Sequence, residues 1–318
     1  MKMSTNTLKT PLALCLLITG LLAMANLNAA SISGEVAGNN GPEAGVWVIA
    51  ETDDLATNFI KIVVTDDDGK FLLPELPDAS YRVWVRGYGL RDSTAVQAQP
   101  GDSLALEVAS AIDEQQAAQI YPSSYWYSLV EPPSLDEFTN PGSQIGGVGS
   151  AMHSQEAYID SLKQNCELCH QLGNKLTREV GHIRHLFEST EEAWSNRVNF
   201  GQYGGWMNRT LATMGRERTI AMYADWTDRI TAGEVPASPP RPQGEERNVV
   251  LTLWDWGNDT SFVHDEVVTD KRNPRVNADG PFYGVSESDG VLVVVDPNTH
   301  VARELEVPMR TRGEAIHD

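Results

Sequence analysis

Cys166, Glu167, Leu168, Cys169 and His170 put two thiols and an imidazole into five consecutive residues of a chain with three cysteines in all. The third, Cys15, sits in an apolar leader. One remaining cysteine pair cannot staple a polypeptide of 318 residues, so apolar cores and hydrogen-bonded sheets must hold the fold. The pair is there for its chemistry.

The first thirty residues have the order of a secretory signal peptide. Lys2 and Lys9 come first, an apolar run follows from Leu12 to Leu22, and Asn28-Ala29-Ala30 closes with small residues. The run is short for a membrane span, and Leu14 ahead of Cys15 argues against lipidation. The expectation is export with cleavage, to the periplasm or beyond, leaving no membrane span. With 44 Asp and Glu against 24 Lys and Arg, the chain has the wrong sign for nucleic acid. Its partners are expected to be basic or neutral.

Residues 31–112 read as β. "SISGEV", "GVWVIAET", "FIKIVVTD", "KFLLPEL", "YRVWVRGYG" and "DSLALEVAS" are short β-branched or aromatic runs, separated by "GNNGPEAG", "DDDG", "PDAS" and "QPGD". Such spacing predicts an antiparallel sandwich. Asp66-Asp67-Asp68-Gly69 lacks the alternating oxygens and closing Glu of a calcium loop and is expected to be a turn. In "GEV…GPEAGVWVIA", "TDDDGKFLLPELP" and "YRVWVRGYG" the segment resembles the carboxypeptidase regulatory-like domain family. That resemblance implies a transthyretin-like or carbohydrate-binding-like sandwich, accessory in role and without peptidase chemistry; a carbohydrate partner stays open.

Residues 113–150 lose periodicity and are rich in Pro, Gly, Ser and aromatics, as in a linker that packs some rings against a neighbour. Gly147 and Gly149 lack the third glycine and the strand–helix setting of a dinucleotide site. Residues 151–232 are helical in pattern. Ala157, Leu162, Cys166 and Cys169 fall near one face, with Gly173 as a stop; Ser189 and Glu192 form a capping box; and Ile220, Ala224, Trp226 and Ile230 make a broad apolar side. Prolines break the pattern at 233–244. Residues 245–318 turn β again, and "LVVVDPNTHVARELEVP" resembles one blade of the lyase-like or NHL-like β-propellers. That implies a partial propeller and, since the chain stops at Asp318 just past such a unit, a fragment of a longer protein. The expected fold class is thus multidomain α+β: an N-terminal antiparallel β-sandwich, a central all-α cytochrome c-like domain and a C-terminal β segment.

The thiol pair decides the central domain. Chance would produce this order about 0.0006 times in a chain of this composition. Residues three apart lie on one side of a helical turn, so both thiols can form thioethers with two vinyl groups at one haem edge. His170 then stands beside the second attachment point, within reach of the iron. Other readings exist. His182 and His185 would complete a zinc set with the thiols, and a thioredoxin-like redox pair would need a strand–helix setting. A covalently bound haem c is preferred. "CELCH" matches the attachment motif of the cytochrome c family, and that resemblance implies thioethers at Cys166 and Cys169, proximal His170 and, usually, a distal methionine. Met207 in "GQYGGWMN" is the first candidate, its glycines allowing close approach to the haem face. Met214, His182, His185 or an open site are the others. Trp194, Trp206 and Trp226 are expected in the core or pocket wall, and Arg184 or a neighbour at a propionate. His264-Asp265-Glu266 has no partners that converge on it, and no nucleophile elbow, phosphate loop or zinc-protease helix occurs.

The expected function is electron transfer by an exported c-type haem protein, working with redox partner proteins and not as a stand-alone enzyme. Two alternatives stay open. One is an electron-accepting or accessory part of a larger propeller-containing oxidoreductase or lyase-like enzyme; the other is a carbohydrate-binding module bearing a haem.

Overall fold

The structure is a computed structural model that describes residues 31–143, 145–167, 171–201, 203–258, 263–286 and 290–307, without the side chains of 264–266. The leader at 1–30, Cys169 and His170, and the side chains of His264, Asp265 and Glu266 therefore lie outside the described residues. The chain forms two compact units. One combines the stretch up to Ser110 with the stretch from Arg241 onward; the other is Ala111–Pro240.

In the first unit, β1 (Ile32–Gly38) pairs with β2 (Gly41–Pro42), β5 (Lys70–Leu73) and β8 (Ser103–Glu107). A second sheet has the order β7 (Val96–Ala98), β6 (Tyr81–Arg86), β3 (Trp47–Thr52), β4 (Phe59–Val64) and β9 (Leu251–Trp254). Alternation sets the buried face: Tyr81, Val83 and Val85 on β6 point inward with Phe59 and Val63 on β4, meeting Ile32, Val36, Phe71, Leu73 and Leu106 from the first sheet in one core. Lys61 shares the inward row of β4. Its Nζ donates to the carbonyls of Pro74 at 3.0 Å and Glu75 at 3.2 Å, and burial lowers its pKa against the opposing effect of Glu75. The Asp66–Gly69 stretch is a turn whose carboxylate serves the backbone: Asp66 Oδ1 accepts from the amides of Asp68 at 2.9 Å and Lys70 at 2.8 Å.

A third sheet is an antiparallel meander of β10 (Val263–Val267), β11 (Phe282–Ser286), β12 (Val291–Asp296) and β13 (Val301–Glu306). Val293, Val294 and Val295 on β12 are all buried, so this strand is covered on both faces.

These sheets correct the expected fold class. Sheets dominate the chain, and no all-α cytochrome domain is shown at its centre. The expected sandwich is not wholly antiparallel, because β8 runs parallel to β1. Nor do residues from 245 onward begin a separate propeller. β9 pairs antiparallel with β4 through Phe59–Trp254 and Ile62–Leu251 and so becomes an edge of the sheet built from β3, β4 and β6. The reason is complementarity across the gap: "LTLW" carries the period-2 pattern that an open edge of a half-buried sheet accepts, whereas blade resemblance rests on a hairpin that many folds contain.

Between its ends the chain forms the second unit from helices: α1 (Glu114–Ala118), α2 (Ser123–Tyr127), α3 (Gln155–Asn165), α4 (Lys175–Glu179), α5 (Thr190–Arg197), α6 (Gly204–Met214) and α7 (Arg216–Thr231). Side chains cap the starts of α3, α4 and α5. Ser154 accepts from Ala157 N, Asn174 from Thr177 N, and Ser189 from Glu192 N, each worth about 1 kcal/mol. The Glu192 carboxylate reaches back to Glu188 N, one residue before the cap. Gly215 separates α6 from α7 with φ 95°, and a Cβ there would strike the Gly147 carbonyl. This glycine is needed both for its left-handed backbone and for close contact.

Candidate functional site

The sequence motif begins where α3 ends. Tyr158, Leu162 and Cys166 follow one another at intervals of four; the first two are buried and Cys166 packs on the same core as a half-buried residue. Ala157, expected on this face, is exposed. The helix also stops earlier than its pattern predicts. The amides of Cys166 and Glu167 both point at the Leu162 carbonyl, at 2.9 and 3.1 Å, and Asn165 Nδ2 takes the Ser161 carbonyl at 2.9 Å. With its last carbonyls spent in this way, the helix closes at Cys166.

Three tyrosines surround the Cys166 side chain electrostatically. Tyr127, Tyr158 and Tyr223 are each held protonated above the ordinary phenol range, in every case chiefly by burial, with Cys166 acting in the same direction. Tyr158 is pushed up to about 12, although its bond to Thr219 pulls the other way. Tyr223 on α7 stacks on Trp194 of α5, with centroids 4.7 Å apart, and stands 6.2 Å from Trp226. Trp194 and Trp226 are thus core residues with satisfied indoles: Trp194 Nε1 donates to Thr227 Oγ1 at 2.8 Å and Trp226 Nε1 to the Trp126 carbonyl at 3.0 Å. Trp206 is instead 51% exposed.

The distal candidates separate by burial. Met214, at the end of α6, is fully buried and belongs to the core. Met207 is half-buried at the core's edge, within the helix instead of on a glycine turn, its amide donating to Tyr203 O at 3.0 Å. The preceding Gly204 has another use: a Cβ there would press on the Asn199 carbonyl at 2.5 Å. His182 and His185 are exposed, and among the described residues no group of three or more His, Cys, Asp or Glu comes together. Arg184 is occupied, giving Nε to Thr190 Oγ1 and Nη1 to the Phe187 carbonyl, both at 2.9 Å.

Sequence reasoning missed Arg178. It is 6% exposed, stacks over Trp126 with its guanidinium carbon 3.9 Å from the ring centroid, donates to Gly173 O at 2.8 Å and pairs with Glu179 at 3.3 Å. Burial lowers its pKa while Glu179 raises it. Among the described residues, Trp126 Nε1, Arg178 Nε and Tyr223 Oη are buried without a hydrogen-bond partner of good geometry, the Tyr223 hydroxyl facing Cys166. Each can donate a hydrogen bond, and all three lie in the helical unit. Buried donors of this kind are the groups that would answer the carboxylates of a haem, were one held there. No local pattern marks these three residues, which are drawn from α2, α4 and α7.

No protein-family model matches the chain, and no curated protein matches it significantly. Among solved structures, the Bacillus anthracis TIE protein is similar at 18% identity over 26% of this chain and 16% of that one, with a TM-score of 0.20. A type II cohesin–X-dockerin complex from Acetivibrio cellulolyticus is similar at 17% identity over 36% of this chain and 81% of that one, with a TM-score of 0.21. At these scores neither likeness carries an argument about fold or function.

Proposed function

We propose that this is an exported c-type haem protein that transfers electrons. Cys166 and Cys169 hold the haem, His170 binds the iron from the proximal side, and Met207 is the distal ligand. The observation that carries the reading is the Cys166–Cys169–His170 order, beginning at the end of α3 against an aromatic core. The cofactor when bound supplies one-electron cycling of iron.

The protein's part is anchoring, exclusion of water and tuning. Tyr158 and Leu162 fix the helix that presents Cys166. Tyr223, Trp194 and Trp226 give a dry wall of low dielectric, which would disfavour added charge on a group held against it. Met207 is supported over Met214 because its half-buried thioether sits at the edge of that core, whereas Met214 fills the interior. The acidic surface favours basic redox partners, and carbohydrate remains a second ligand class for the sandwich. The order of the leader, Lys2 and Lys9 first, then the apolar run and the small residues Asn28-Ala29-Ala30, supports export.

The test is the mass of the secreted polypeptide made in cells that mature c-type cytochromes. It should exceed the processed chain by one haem and show a Soret band; a bare-chain mass with both thiols open to alkylation would falsify the reading.

A further inference from the structure

The turn between β12 and β13 is fastened to the second sheet of its unit at His300, by its imidazole and its carbonyl. Trp254 Nε1 on β9 and His300 Nδ1 are 3.0 Å apart. An indole nitrogen can only donate, so Nδ1 accepts and the ring proton is on Nε2. The His300 ring also lies nearly parallel to Trp254, at 21°, and edge-on to Phe59 of β4, with centroids 5.0 Å apart. Its carbonyl accepts from Thr57 Oγ1 at 3.2 Å. The backbone of His300 is left-handed, φ 57°, a conformation that a histidine holds only when its surroundings impose it.

We propose that His300 is a proton-controlled latch: neutral, it clips the β12–β13 turn onto the β4–β9 edge, and protonated, it lets the turn go. Protonation places N–H on both ring nitrogens, so the Trp254 N–H then faces a donor and the bond is lost. The groups around the ring set the balance. Burial does most to hold the imidazole below its ordinary range, Lys61 on β4 adds to it by opposing a positive charge, and Asp296 at the start of the turn works the other way. Asp255, next to Trp254, is committed elsewhere: its oxygens accept from Asn58 N and Nδ2 and from Gly257 N. The sign is that of a depressed histidine. The folded arrangement prefers the neutral ring, so the latch holds at neutral pH and weakens as pH falls through the ordinary histidine range and below.

Hydrogen exchange of the full chain, read by mass spectrometry and corrected for intrinsic amide rates, tests this. Between pH about 7.5 and about 5, exchange across 291–306 should quicken, approaching tenfold per pH unit once the ring is titrating, while β3 and β6 peptides keep their protection. His300→Asn retains an acceptor and tolerates the left-handed backbone; its 291–306 peptide should stay slow at both pH values. Trp254→Phe keeps a ring against Phe59 and Phe282 but has no donor, and should exchange fast at both. Acid-quickened exchange in His300→Asn or Trp254→Phe equal to that of the unmodified chain overturns the latch. So does an unmodified chain whose 291–306 peptide responds no more than β3 and β6.

Discussion

The hydroxyls of Tyr158 on α3 and Thr219 on α7 meet at 2.7 Å in the core of the helical unit. Thr219 Oγ1 already donates to the Gly215 carbonyl at 2.9 Å, so Tyr158 is the donor and Thr219 relays the bond to the residue that breaks α6 from α7. The helix that ends in Cys166 is thereby tied to the α6–α7 corner.

That relay predicts an asymmetry. Tyr158→Phe removes a donor and leaves an acceptor that still has the Gly215 bond, at a cost of about 0.5–1.5 kcal/mol. Thr219→Val strands the buried Tyr158 hydroxyl, while the Gly215 carbonyl keeps the bond from the residue 219 amide at 2.9 Å, at a cost of about 1–3 kcal/mol. Urea unfolding of both variants should rank them in that order, and the double variant should cost less than the sum.

Arg178 should not tolerate lysine. The guanidinium is planar on Trp126 and reaches Gly173 O and Glu179, and an ammonium reproduces neither the stacking nor the fork. A loss of about 1–3 kcal/mol is expected for Arg178→Lys, measured by denaturant midpoint. A variant as stable as the parent would show that the stack contributes nothing.

Acid sensitivity of the helical unit should trace in part to Glu137. The hydrogen bonds from Arg218 Nε at 2.8 Å and Nη2 at 3.1 Å hold its carboxyl below the usual range, Arg218 being the largest cause. A depressed carboxyl contributes stability that is complete above its unfolded value and is lost as pH falls through the folded one. The pair is a quarter exposed, so the contribution is about 0.5–1 kcal/mol. Glu137→Gln should be less stable than the parent at neutral pH and converge with it below the carboxylate range.

The two methionines should part company when each is changed to alanine. Met214→Ala empties fully buried space and should cost about 2–5 kcal/mol without touching the visible spectrum beyond what unfolding does. Met207→Ala should barely move the unfolding midpoint yet abolish the sulfur-to-iron charge-transfer band of the haem-loaded protein. Loss of that band in Met214→Ala at a temperature where it is folded would reassign the ligand.

What could be read from residues alone was the local part. Short β-branched runs between turn residues became β1, β3, β4, β5, β6 and β8, Ser189 capped α5, and Ile220, Ala224 and Trp226 line the buried side of α7. What could not be read were choices made across the chain. Nothing in "LTLW" says that its partner is Phe59–Ile62, nor in "SLALE" that it lies parallel to β1, because periodicity fixes a face and not a neighbour. At the site, the thiol pair and histidine are legible as a motif, whereas Tyr127, Tyr158 and Tyr223, from three different helices, come to surround Cys166 only through packing. The early end of α3 depends on Asn165 turning back to Ser161, a competition that helical period does not register.

The strand that completes the second sheet lies beyond the helices, at Leu251–Trp254. A chain synthesised or threaded from its N-terminus therefore delivers Cys166 well before β4 can receive its last neighbour. Until then the outer rim of β4 offers bare amides and carbonyls to any passing strand. Maturation has an order built into it, with the helices emerging while the sheet that brackets them in sequence is still unfinished, and a stall before residue 251 would leave that rim for a chaperone to guard.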